Sequence, residues 1–122
     1  MNAIELAHMV MVAARHTRCD LTDEKRTQAD LAEAFAQSLD VPVEREYRLS
    51  ASDIPDFLVD GQLVVEVKLK AARPIAIHKQ LSRYAAHDQV QGVVLLANRA
   101  MALPPDIRGK PAFVQSLGEA WL

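Results

Sequence analysis

Asp53-Ile54-Pro55-Asp56-Phe57-Leu58-Val59-Asp60-Gly61-Gln62-Leu63-Val64-Val65-Glu66-Val67-Lys68 is the stretch on which the fold turns. Two runs of Phe, Leu and Val, residues suited to a buried pleated surface, flank Asp60-Gly61, a strong hairpin-turn signal. Into these runs are set Asp56, Glu66 and Lys68. A charge inside an apolar strand is costly unless it meets a partner or a metal, so these three point to chemistry.

Side-chain parity decides how they meet. A two-residue turn at Asp60-Gly61 would pair Val59 with Gln62 and send Asp56 and Glu66 to opposite faces of the sheet. A three-residue turn over Asp60-Gly61-Gln62, with Gly61 or a neighbour at positive φ, pairs Val59 with Leu63 and Asp56 with Glu66. Phe57, Val59, Leu63, Val65 and Val67 then share one face, and Asp56, Leu58, Val64, Glu66 and Lys68 the other. This odd register separates apolar from charged better, and it is the expected one. It brings two carboxylates within reach of one cation, with an ammonium beside them.

Hard carboxylate oxygens hold Mg²⁺ through few direct ligands and several waters. Such a metal acidifies water and offsets charge on a phosphate, and a lysine can position the nucleophile. Pro55-Asp56 followed by Glu66-Val67-Lys68 resembles the signature of the PD-(D/E)xK nuclease superfamily, which includes many restriction enzymes and Holliday-junction resolvases. The resemblance covers roughly residues 22–98. It implies Asp56 and Glu66 as metal ligands for Mg²⁺, with Mn²⁺ able to substitute, and Lys68 as the residue that positions or activates water.

The whole chain bounds the alternatives. Its 122 residues suit a single domain, 1–122, with a composition ordinary for a globular protein. One cysteine, Cys19, excludes an internal disulfide framework and a thiolate metal site. No run reaches membrane-spanning length, and Met9 to Ala14 is too short for a signal peptide, so the cytoplasm is expected. The net charge of −2 is unevenly spread. Residues 1–65 carry six Lys/Arg against twelve Asp/Glu, whereas residues 66–110 carry eight against three. A locally basic face can bind phosphates within an acidic average.

In chain order, residues 2 to about 18 read as a helix with Leu6, Met9, Val10, Ala13 and Ala14 on one side, an addition to the core suited to packing or dimer contact. His8 and His16 read as surface histidines. Thr22 reads as the N-cap of a second helix running to about Leu39, with Glu24, Gln28, Leu31, Phe35 and Leu39 on one stripe and Glu33 on the opposite side. The family resemblance implies a helix glutamate near the metal. Glu24 is the better candidate over Glu33, with Gln28 able to assist; the alternative is that Glu24 serves only the helix dipole. Val43 to Leu49 alternates as a half-buried strand. Asp53 competes with Asp56 as a ligand but lies before the strand.

After Lys68, a helix from Pro74 to about His87 places Ile77, Gln80, Leu81 and Tyr84 on one face. Gln80-Leu81-Ser82-Arg83-Tyr84-Ala85 resembles the family segment in which a glutamine lies by the active site, which implies that Gln80 supports it. Tyr84 reads as core. Lys70, Arg73, Lys79 and Arg83 are the candidates for the DNA backbone, with Arg99, Arg108 and Lys110 as a second path. Gln91 to Asn98 reads as a strand buried on both faces and parallel to the Glu66 strand. Residues 102–110 read as a loop, and Pro111 to Leu117 as a short strand at the sheet edge. The expected fold is α/β, a mixed central β-sheet flanked by helices, with a restriction-endonuclease-like αβββαβ core (about 22–98) and an extra N-terminal helix.

The function expected is metal-dependent hydrolysis of DNA phosphodiester bonds, of endonuclease or resolvase type, by a homodimer built through the N-terminal helix or Ala120-Trp121-Leu122. The rivals are a catalytically inactive nuclease-like module that binds DNA or protein and acts with a partner supplying target recognition, and a structural reading in which Glu66 and Lys68 merely pair.

Overall fold

A computed structural model describes residues 1–69 and 72–118. Lys70 and the Ala120-Trp121-Leu122 tail, expected respectively to contact DNA and to offer a dimer contact, lie outside the described residues. The strands are β1 (Val43–Arg45), β2 (Phe57–Val59), β3 (Leu63–Lys68), β4 (Gly92–Ala97), β5 (Asp106–Ile107) and β6 (Lys110–Ser116). The helices are α1 (Ala3–Arg15), α2 (Glu24–Ser38) and α3 (Pro74–Ala85).

The β2–β3 hairpin takes the three-residue register. Val59 pairs with Leu63, Leu58 with Val64 and Phe57 with Val65. Asp60 and Gly61 both sit at positive φ (52° and 65°), and Gln62 N–H donates to Val59 O at 3.1 Å to close the turn. Glycine meets no steric penalty there. Phe57, Val59, Leu63, Val65 and Val67 pack on one side with residues of α1 and α2. Leu58 and Val64 pack on the other with Ile77, Leu81 and Tyr84 of α3.

The sheet has six strands in the order β1-β2-β3-β4-β6-β5. β1, β2 and β3 are antiparallel neighbours, β4 runs parallel to β3 and β6 parallel to β4. β4 is buried throughout, as its unbroken apolar run requires. The stretch expected to be wholly loop holds a second hairpin instead. Arg108 and Gly109, at φ 53° and 75°, fold the short β5 back on β6, the geometry that two-residue turns need. β6 therefore lies between β4 and β5 rather than at the edge.

Helix ends shift for local reasons. α1 starts with a capping box between Asn2 and Glu5 and stops at Arg15, three residues short of expectation. It is a core layer, not an addition. Ala3, Leu6, Ala7, Val10, Ala13 and Ala14 are buried, and a Cβ at Gly92 of β4 would come within 3.1 Å of Ala3 Cβ. Met9 lies at the rim, half-buried. The cap of α2 is Asp23, accepting from Arg26 N–H at 3.1 Å, while Thr22 donates its hydroxyl to Asp20 at 2.6 Å. Phe35 of α2 meets Phe57 edge-on at 5.2 Å between ring centres, a favoured aromatic geometry.

β1 ends four residues early. Glu46 adopts φ 49° and donates its N–H to Asp56 O at 2.9 Å. The turn flips the chain across the sheet: Val43 packs toward α1 and α2, whereas Tyr47 and Leu49 pack toward α3. A continuous strand would have kept all three on one side. Among the described residues, no helix is long and apolar enough to cross a membrane.

Candidate metal centre

The charged end of the hairpin is held by side chains. Beyond the Phe57–Val65 pair, Asp56 N–H donates to Glu66 Oε1 at 3.0 Å and Val67 N–H donates to Asp56 Oδ2 at 2.8 Å. The two carboxylates thus cross-brace β2 to β3, each spending one oxygen on the other strand's backbone. Lys68 Nζ lies 3.4 Å from Glu66 Oε2. Asp56, Glu66 and Lys68 are brought together, at the carboxyl end of β3 beside its parallel neighbour β4, where α/β sheets commonly bind ligands.

Burial sets the electrostatics. Glu66 is 3% exposed, and burial, reinforced by the charge of Asp56, pushes its carboxyl up to about 7. Asp56 is also raised, first by burial and in part by the charge of Glu24, while the Val67 N–H and Lys68 pull it down. Two carboxylates desolvated side by side resist holding both charges. A cation bound between them would relieve that repulsion.

Glu24, at the first position of α2, accepts from Leu69 N–H at 3.1 Å. It ties the helix start to the end of β3 and stands at the rim of the pair. Glu33 is exposed more than two turns further along α2, and Gln28 is half-buried one turn along. Gln80 donates Nε2 to the Tyr84 hydroxyl at 2.9 Å. Tyr84 is buried, and burial followed by the charges of Glu66 and Asp56 raises its hydroxyl far above the usual range. Read from sequence as core, Tyr84 is also a neighbour of the carboxylates. Its position four residues after Gln80, on the same inward face, was the available signal.

Asp53 is not part of the pair. It accepts from Arg83 Nε at 3.2 Å and from His87 Nε2 at 2.9 Å, both on or just beyond α3. The His87 bond, ahead of burial and Arg83, leads the balance that lowers its carboxyl below the ordinary value. Three cations of residues 66–110 bond carbonyls in or flanking α3: Arg99 donates to Ala72 O just before it, Arg108 to Ser82 O within it and Lys110 to His87 O just after it. Arg73 and Lys79 are exposed.

A depression of about 520 Å³ lies elsewhere, between α1 and α2, and His8 and His16 line it. The Cys19 thiol, half-buried, is pushed up to about 11 by burial and by Asp30, which suppresses its reactivity at neutral pH. Among the described residues, no group of three or more His, Cys, Asp or Glu side chains is placed to hold a metal ion.

Compared with known proteins, the chain matches no family model, no curated protein and no solved structure.

Proposed function

We propose that the protein is a divalent-metal-dependent nuclease of the PD-(D/E)xK type that hydrolyses DNA phosphodiester bonds. The observation that carries the reading is the pairing of Asp56 and Glu66 on one face at the end of β3, with Lys68 Nζ 3.4 Å from Glu66.

The donor set fits Mg²⁺. Asp56 Oδ1 and Glu66 Oε2 are the oxygens a cation would take, since Oδ2 and Oε1 brace the strands; Oε2 already faces Lys68 Nζ at 3.4 Å, so a bound cation would share that oxygen with the ammonium or displace it. Two carboxylates with water completing the shell suit a cation that keeps much of its hydration. When bound, the metal acidifies water and offsets charge on the phosphate. Glu66 and Asp56 orient that oxygen set through their backbone bonds. Lys68 supplies a cation toward the attacking water or the phosphate, Glu24 fixes the end of β3, and the Gln80–Tyr84 pair borders the carboxylates from α3. Arg73, Lys79 and Arg83 belong to the proposed DNA surface. A homodimer is the proposed working form, because one small domain offers little surface to both strands of a duplex. Sedimentation that shows only monomer at high micromolar concentration, with and without DNA, contradicts that form.

A second reading has its own observation: the two carboxylates already bond backbone N–H groups, which is also what a purely structural brace would do. Cleavage of labelled DNA in Mg²⁺ or Mn²⁺ separates the two. Asp56→Ala should lose at least about a hundredfold in rate, the scale of one lost transition-state contact. Activity equal to that of the parent would leave the pair as a brace.

A further inference from the structure

We propose that Asp53 orients Arg83 as a clamp for a nucleic-acid phosphodiester, on a track along the exposed face of α3. The identity of the ligand rests on the nuclease reading; the clamp itself rests on the geometry of three side chains.

Asp53 is 8% exposed, yet it takes donors from both Arg83 Nε (3.2 Å) and His87 Nε2 (2.9 Å). The partners are unequal. The Asp53 side chain is 11% exposed and that of Arg83 56%. The bond engages Nε, the innermost guanidinium nitrogen, so the head group is anchored at its inner edge while the terminal nitrogens lie farther out on a mostly exposed side chain. A planar fork held in this way suits bidentate recognition of phosphate.

The rest of α3 is consistent with an anionic ligand. From Pro74 to Ala85 it carries no acid. Lys79 and Arg83 stand four residues apart on the exposed side, about 6 Å along the axis. Like charges at this spacing repel, and a phosphate strand laid along them would convert the repulsion into attraction. Ala76 and Ala86, also exposed, flank the pair, with the exposed Ile75 one turn before Lys79. The negative pole of the helix would oppose an anion near Arg83. It is offset there by Arg108 Nε on Ser82 O at 3.0 Å and Lys110 Nζ on His87 O at 2.8 Å.

The test exploits a sign. Removing the charge of Asp53 makes the face more positive, so simple charge counting expects Asp53→Asn to tighten DNA binding. The clamp expects the opposite. A fluorescein-labelled DNA duplex and its single strand are titrated across a salt series, with Ca²⁺ in place of Mg²⁺. Arg83→Gln should weaken binding roughly tenfold at low salt and flatten the slope by about 0.9 log units per log salt for duplex. Asp53→Asn should weaken it severalfold and add nothing to Arg83→Gln in the double variant. Arg83→Lys, which keeps the charge but loses the fork, guards against a misfolded Asp53→Asn and should weaken binding nearly as much as Arg83→Gln. Tighter binding by Asp53→Asn, full affinity in Arg83→Lys, or an unchanged slope in Arg83→Gln overturns the clamp. If these outcomes accompany intact metal-dependent cleavage that Asp56→Ala abolishes, the clamp alone fails. If the parent binds neither probe, the nuclease reading fails with it.

Discussion

Alternate residues of one hairpin meet two environments. Phe57, Val59, Leu63, Val65 and Val67 all pack toward α1 and α2 in an apolar layer. Leu58 and Val64 begin an equally apolar layer toward α3, but at the far end that face carries Asp56, Glu66 and Lys68. The two faces are built by the same strands in the same register. The first is organised for packing; the second gives up packing at one end to hold two desolvated carboxylates. Stability and the proposed activity should therefore separate by residue parity.

Cleavage should break most sharply on the charged face. Glu66→Gln keeps the shape and should still lose at least about a hundredfold in rate, with a melting temperature equal to or above that of the parent; a rate within a few fold of the parent removes the contrast. On the apolar face, Phe57→Ala deletes a fully buried ring stacked edge-on against Phe35 and should cost about 3–5 kcal/mol in urea unfolding. A loss below about 1 kcal/mol would mean that this layer can collapse around the gap.

pH sharpens the comparison further. Glu66 is raised from 4.5 to about 7 in the folded protein, so between those values the folded state binds more protons than the unfolded one. Its contribution is complete below about 4.5 and is lost as pH rises through about 7. Metal-free protein should therefore gain stability, on the order of 1 kcal/mol, as pH falls from about 8 to 5. Glu66→Gln should flatten that gain. Asp53 works in the other direction: its lowered carboxyl stabilises above the ordinary value of an aspartate and is lost as pH falls through the depressed one. A curve for Glu66→Gln that matches the parent would place the proton uptake elsewhere. The smallest effect belongs to the turn that sets the parity. Gly61→Ala meets open space but a φ of 65°, and should cost about 1 kcal/mol without changing the register; amide exchange across β2 and β3 reads both.

How much of this was legible depends on whether the signal was periodic or local. The odd register was legible because only it places Val59 opposite Leu63 and sorts the charges to one side. The parallel placement of β4 followed from its apolar run and the intervening helix. The break at Glu46 was not legible, because glutamate gives no sign of a positive φ and Val43, Tyr47 and Leu49 alternate as if on one strand. Arg108-Gly109 carried a glycine but was swallowed by a proline-rich stretch that reads as loop. Within the candidate site, Asp56, Glu66 and Lys68 were legible as misplaced charges. Tyr84 was read only as core, because a phenol at an inward helix position resembles any core residue unless its spacing of four from Gln80 is weighed. The anchoring of Asp53 by Arg83 and His87 depends on contacts across some thirty positions of chain, which no local pattern encodes.

The central claim is that Asp56 and Glu66 form one cation site. Crystals soaked in Mn²⁺ test it most directly through the anomalous signal. The account predicts one ion within bonding distance of both carboxylates in the parent and none there in Glu66→Gln. An ion bound elsewhere, or the same ion retained at full occupancy in Glu66→Gln, would contradict it.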